Sequence, residues 1–195
     1  ILNLTINGIY DGEINAVLRP ERIKQLSIKN IQMTGTEFNN INALVLGGSR
    51  GIGELTTKIL IAGGASVTFT YNNGITESKD LIDEINSVSI EKKCKSFKFN
   101  LLTDELDINI LKKYDIIFYY ITPKILPTDN ILNTELLHKF NTFYNEKYYN
   151  LLLKLSNINK EFQVFIPSTV FIDEYNTHFK EYIFFRGRPS QFGWF

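Results

Sequence analysis

The run Ala43-Leu-Val-Leu-Gly-Gly-Ser-Arg-Gly-Ile-Gly53 constrains the fold of this chain more than any other stretch. Four apolar residues, enough for a short buried strand, lead into a glycine-rich turn. Helical spacing follows at once (Ile52, Leu55, Ile59, Leu60). Gly63-Gly64 ends that helix, and Ser66-Val-Thr-Phe-Thr70 reads as a second strand. A strand, a glycine turn and a helix in this order present the unpaired first-turn amides and the positive dipole end of the helix to the loop. That arrangement holds the pyrophosphate of a dinucleotide. Each glycine has its own task. Gly47 lets the chain turn sharply off the strand, Gly51 lets the backbone approach the phosphates, and Gly53 lets the helix pack against the sheet. A glycine triplet alone is weak; the complete strand-loop-helix-strand unit carries the reading.

The same alternation continues downstream. Asn72-Asn-Gly74 is a turn signal, and Thr76 is a candidate N-cap for a helix marked by Leu81, Ile82, Ile85 and Val88. Lys95-Ser-Phe-Lys-Phe99 alternates as a third strand, and Thr103 to Lys113 suits a short helix. Asp115-Ile-Ile-Phe-Tyr-Tyr-Ile121 is almost continuously apolar, as a central parallel strand requires. Thr134 to Leu155 reads as one long helix whose aromatics (Phe140, Phe143, Tyr144, Tyr148) belong to a core or a subunit interface, and Phe162-Gln-Val-Phe-Ile166 is the next strand. The pattern predicts an α/β fold, a doubly wound parallel sheet of Rossmann-like type with right-handed crossovers and a short N-terminal arm. Residues 1–40 are the arm, or the tail of a preceding domain, with a candidate strand at Leu2–Ile6 and a linker over 34–42. Residues 41–195 form the dinucleotide-binding domain.

The chain has 195 residues, enough for one domain with a buried core. Lysine plus arginine and aspartate plus glutamate number 21 each, so no electrostatic case arises for nucleic acid or an anionic membrane. No apolar run approaches the ~20 residues that span a bilayer. A single cysteine, Cys94, predicts a reducing compartment and a cytoplasmic location. His138 and His178 lack ligand spacing, so no metal is expected. The first residue is Ile, which suggests a fragment or a processed product.

Leu46-Gly-Gly-Ser-Arg-Gly-Ile-Gly53 resembles the cofactor loop of the short-chain dehydrogenase/reductase superfamily, usually Thr-Gly-x-x-x-Gly-Ile-Gly. Leu46 stands where that family has Thr, which removes a hydroxyl that commonly braces the loop. The resemblance implies a nicotinamide cofactor held by Gly47, Ser49, Arg50, Gly51, Ile52 and Gly53, with Tyr71 closing the second strand. Asn100 stands where the family places an Asp against the adenine. The second strand ends Phe69-Thr-Tyr-Asn72, without the carboxylate that an NAD site uses on the ribose 2′-hydroxyl. Arg50 offers a guanidinium for a 2′-phosphate. The expected cofactor is therefore NADP rather than NAD.

The resemblance also maps a catalytic set onto the end of the chain. Ser168 or Thr169, in Ile166-Pro-Ser-Thr-Val170, takes the place of the hydroxyl that orients a carbonyl oxygen; spacing does not choose between them. Tyr182 takes the place of the proton donor, and Arg186 stands where the family has Lys. A cation beside a phenol stabilises the phenolate, but arginine does not release a proton as lysine can. Tyr119-Tyr-Ile-Thr-Pro123 replaces the usual Asn-Asn-Ala-Gly, and Asn141 and Asn145 are candidates for the family's water-holding asparagine. Gly187 and Pro189 cut the Tyr182 helix short, so the chain reads as truncated or divergent at its C-terminus. Two functions follow. One is an NADP-dependent oxidoreductase reducing a small-molecule carbonyl, a 3-oxoacyl thioester among the candidates, in a homo-oligomer paired through the 134–155 helix. The other is a non-catalytic nucleotide-binding or scaffold domain.

Overall fold

A computed structural model describes residues 26–88, 94–125, 127–128, 131–169 and 177–186. The strand expected at Leu2–Ile6 lies outside the described residues. In chain order the elements are β1 (Asn42–Leu46), α1 (Gly51–Ala62), β2 (Ser66–Tyr71), α2 (Ile75–Val88), β3 (Cys94–Lys98), α3 (Ile108–Leu111), β4 (Ile116–Tyr119), α4 (Thr134–Asn141), a π turn (Thr142–Glu146), α5 (Lys147–Ser156), β5 (Gln163–Phe165) and α6 (Lys180–Arg186). The strands form one sheet in the order β3-β2-β1-β4-β5, with every pair parallel. This is the doubly wound architecture that the alternation predicts.

The centre of the sheet is β1, whose Ala43, Leu44, Val45 and Leu46 are all fully buried. Alternate residues of a strand point to opposite faces, so β1 feeds two cores. Leu44 and Leu46 join Ile117 and Tyr119 of β4 under Phe140, Tyr144, Leu151 and Leu155. Ala43 and Val45 join Val67, Phe69 and Phe118 under Leu60, Leu81 and Ile85. A continuous apolar strand is what a sheet covered on both faces needs.

The long helix is present but not uniform. It widens at Thr142–Glu146 between α4 and α5. Tyr119 donates its hydroxyl to the Phe143 carbonyl there (2.7 Å), which partners a carbonyl that a widened turn serves poorly. Phe140, Phe143 and Tyr144 are buried, so the interleaved aromatics of this region belong to the core.

Three local expectations shift. The helix expected over 103–113 contracts to α3, because Asn100 folds its own turn: the Thr103 and Asp104 amides donate to its carbonyl (3.1 and 2.8 Å). Helix α2 starts one residue before Thr76, and its Ser78 amide donates to the Gly74 carbonyl (2.9 Å). Residues 34–42 are no free linker: Phe38 is buried, and its amide donates to the Gly63 carbonyl (2.7 Å).

Further upstream, Ile28 is buried and its amide donates to Glu84 on α2 (2.8 Å). Lys58 of α1, whose side chain is only 2% exposed, sits 2.9 Å from both Glu54 and Glu84 and donates to the Leu26 carbonyl (3.2 Å). Residues 26–41 thus strap the outer face of α1 and α2 through one buried charge cluster and two apolar anchors.

Candidate nucleotide site

A fully parallel sheet gathers all its C-terminal strand ends along one edge. Here that edge carries the glycine loop after β1, Tyr71 at the end of β2, Asn100 after β3, Tyr120–Pro123 after β4, and Ser168 and Thr169 after β5. The chain reverses winding direction between β1 and β4, and a doubly wound sheet opens its binding crevice at that switch point.

The glycine loop is held from three sides. Gly47 has φ +83°, and a Cβ there would lie 3.2 Å from the Ile121 amide nitrogen, so the loop after β4 presses against it. A Cβ at Gly48 would stand 2.5 Å from the Phe69 Cβ, and one at Gly53 2.3 Å from the Gly47 carbonyl oxygen. Gly47 thus makes a left-handed turn off β1, and Gly53 lets the start of α1 pack against the loop backbone at Gly47 and Gly48. The need for Gly48 is a packing demand from β2 that the sequence pattern did not reveal. Gly51 differs: its φ is +59° and a Cβ would meet open space. Arg50 caps α1 with no side-chain hydrogen bond to the first-turn amides. Open space above Gly51, beside a helix start that the Arg50 side chain does not cap, suits a phosphate group.

The amides of the glycine loop are held from a neighbouring strand. Thr70 of β2, 1% exposed, accepts the Gly47 amide on Oγ1 (3.0 Å), and its carbonyl accepts the Gly48 amide (3.0 Å). Tyr120 braces the loop after β4 through a hydrogen bond between its hydroxyl and that of Thr56 on α1 (2.9 Å), and burial raises its pKa despite that bond.

Of the remaining nucleotide candidates, Ser49 is buried beside Gly74, and Ile52 is exposed on the first turn of α1. Arg50 reaches toward α2 and pairs with Glu77 at 3.8 Å. Tyr71 lines a cavity of about 390 Å³ with Ile75, Ser78, Lys79 and Ser96. Asn100 uses its side-chain oxygen within its own turn, accepting the Leu102 amide (3.1 Å), while its amide donates to Asp104 (2.8 Å).

The catalytic candidates fall into two groups. Ser168 and Thr169 follow β5 at the C-terminal edge, Ser168 exposed and Thr169 half-buried. Tyr182 lies in α6 with its ring 5.7 Å from Phe140 and 6.2 Å from Tyr144, while Arg186 ends the same helix one turn later. The Tyr144 and Thr122 hydroxyls are hydrogen-bonded to each other, which ties the loop after β4 to the π turn. Asn145 donates to Asn141 (2.9 Å), which donates to Glu146 (2.8 Å), so both candidate asparagines are engaged at that turn.

Helix α6 is anchored by Glu181. This side chain is 1% exposed and accepts from the Asn133 amide (2.7 Å) and the Thr128 hydroxyl (2.8 Å). Burial pushes its carboxyl pKa up, but those bonds outweigh it and hold the pKa below the ordinary carboxylate value. Among the described residues no helix is long and apolar enough to cross a membrane.

These features define a dinucleotide-binding fold of the Rossmann type. No family profile matches the chain, and no curated protein matches it in sequence. Solved structures do match its fold. A short-chain dehydrogenase from Shigella flexneri aligns with a TM-score of 0.64 at 15% identity, over 82% of this chain and 67% of that one. FolM alternative dihydrofolate reductase 1 from Brucella canis, complexed with NADP, aligns with a TM-score of 0.62 at 16% identity, over 77% and 64%. The landomycin C-6 ketoreductase LanV, with bound NADP and rabelomycin, aligns with a TM-score of 0.63 at 17% identity, over 80% and 69%. The chain has the fold of the short-chain dehydrogenases/reductases.

Proposed function

We propose that this chain binds NADP(H) at the Gly47–Gly53 loop and reduces a small-molecule carbonyl as a member of the short-chain dehydrogenase/reductase family. The observation that carries the reading is the loop itself: a glycine turn at the switch point of a parallel sheet, open above Gly51 and beside a helix start that the Arg50 side chain does not cap. Solved proteins of this fold carry NADP, which supports the same cofactor here. Bound NADPH supplies the hydride. The loop amides and the α1 dipole hold the pyrophosphate, and Arg50 takes the 2′-phosphate. Ser168 or Thr169 donates a hydrogen bond to the substrate oxygen, and Tyr182 gives it a proton as the alcohol forms. Arg186 supplies the charge that favours the phenolate left behind. A 3-oxoacyl thioester is one substrate of this class.

The reading places the protein in a reducing compartment, the cytoplasm, in keeping with its buried Cys94, whose thiol pKa burial pushes up to about 12. Two copies would pair through the 134–155 helix, where Tyr149 and Leu153 are exposed. The deciding experiment is a calorimetric titration of the folded protein with NADPH and with NADH, followed by NADPH oxidation over a panel of carbonyl compounds. Saturable NADPH binding and turnover abolished by Tyr182→Phe are expected. Absence of binding by either nucleotide overturns the proposal, and binding without turnover leaves a nucleotide-binding module.

A further inference from the structure

Arg50 is not a bare cation at the mouth of this site. Its Nη1 lies 3.8 Å from Oε1 of Glu77, in the first turn of α2. Three side chains converge on Gly74, the residue before that helix. A Cβ there would stand 3.0 Å from Arg50 Nη2, 3.0 Å from Ser49 Oγ and 3.3 Å from Glu77 Oε2. Glycine at this position leaves room for the guanidinium and the carboxylate to sit side by side. Arg50 is 54% exposed and Glu77 25%, so the pair faces solvent and adds little to stability. β2 ends at Tyr71 and Asn72-Asn73 follow with no acid, yet the fold returns one to this end of the sheet from the following helix.

We propose that Glu77 sets the nucleotide selectivity of this site by occupying Arg50. The inference rests on the nucleotide site proposed above. A phosphate monoester carries about −1.5 to −2 charges at neutral pH. To reach Arg50, a 2′-phosphate must displace the Glu77 carboxylate and then remain beside it. Attraction to the guanidinium and repulsion from the carboxylate act over similar distances, so they largely cancel. A ribose 2′-hydroxyl is neutral and meets no such opposition; it donates to Glu77 or accepts from Arg50. Arg50 therefore confers far less preference for NADPH than its charge promises, and the chain binds NADPH and NADH with affinities within about tenfold of each other.

The test is calorimetric titration of Glu77→Gln with NADPH and with NADH at low ionic strength. The expected result is about 5- to 20-fold tighter NADPH binding, with NADH changed by no more than about twofold. The gain shrinks as ionic strength rises, because exposed charges are screened. Glu77→Asp keeps the charge and the wild-type ratio. Glu77→Ser, also neutral, replaces the glutamine variant if that one does not fold. No change in the NADPH-to-NADH ratio, or an equal change for both nucleotides, overturns the proposal while leaving the nucleotide site intact. Failure of the wild-type protein to bind either nucleotide overturns the site and the selectivity together.

Discussion

Single residues of the glycine loop make separable demands. Thr70→Val removes the acceptor of the Gly47 amide and leaves a buried donor unpaired, which costs about 1–3 kcal/mol. Chemical denaturation should show that loss, and NADPH affinity should fall with it; Thr70→Ser should restore both. Gly53→Ala places a methyl 2.3 Å from the Gly47 carbonyl oxygen, so the loop must move and nucleotide binding should be lost. Gly51→Ala meets no atom and pays only for its positive φ, about 1 kcal/mol, so it should fold. Its methyl enters the space assigned to the phosphate, so it should also bind NADPH more weakly, and a Gly51→Ala protein with wild-type affinity would contradict that placement. The need for glycine at Gly47 and Gly53 was legible in the sequence because a local glycine spacing marks it, although Gly53 packs on the loop backbone and not on the sheet. The roles of Thr70, Gly48 and Glu77 were not. Each depends on a neighbour from another element, and no local pattern marks such a pairing.

Among elements, the strap of residues 26–41 is the clearest case of long-range order. Lys58 and Glu54 of α1, Glu84 of α2 and the Leu26 carbonyl come from three separate segments and meet around a buried ammonium. Removing one partner of a buried ion pair strands the other charge, so Lys58→Met should destabilise by about 3–5 kcal/mol in urea unfolding. Lys58→Met with Glu54→Leu should recover part of that loss. Phe38→Ala should cost about 3 kcal/mol, since its ring covers Gly63. A change of less than ~0.5 kcal/mol would mean that 34–42 behaves as the linker its composition suggests. The strands and main helices were readable because apolar runs and helical periodicity report burial directly. Composition hid the strap, since a segment with a few apolar anchors among polar residues looks like a linker until its partners are known. The π turn was hidden too, for the apolar spacing of the 134–155 helix continues through it.

At the level of the whole molecule, acid should unfold the protein through its paired carboxylates. Burial pushes the pKa values of Glu84, Asp115 and Glu181 up, but hydrogen bonds and the ammonium groups of Lys58, Lys160 and Lys180 respectively bring all three below their ordinary values. A folded pKa below the unfolded one means that the unfolded chain binds protons first. The stabilisation is therefore complete above the ordinary values of 4.5 for glutamate and 3.8 for aspartate, and is lost as the pH falls through the lower folded values. The urea midpoint should hold steady from about pH 7 to 5 and then decline, with Glu181→Gln flattening part of the decline. A midpoint that falls equally between pH 7 and 5 would point to other groups. Finally, the glycine loop is already held by Thr70, Phe69 and the chain at Tyr120–Ile121. A loop set in place before its ligand arrives leaves no slow rearrangement for binding to wait on. In stopped-flow mixing the observed rate should climb in proportion to NADPH concentration without a plateau, because docking is a single encounter.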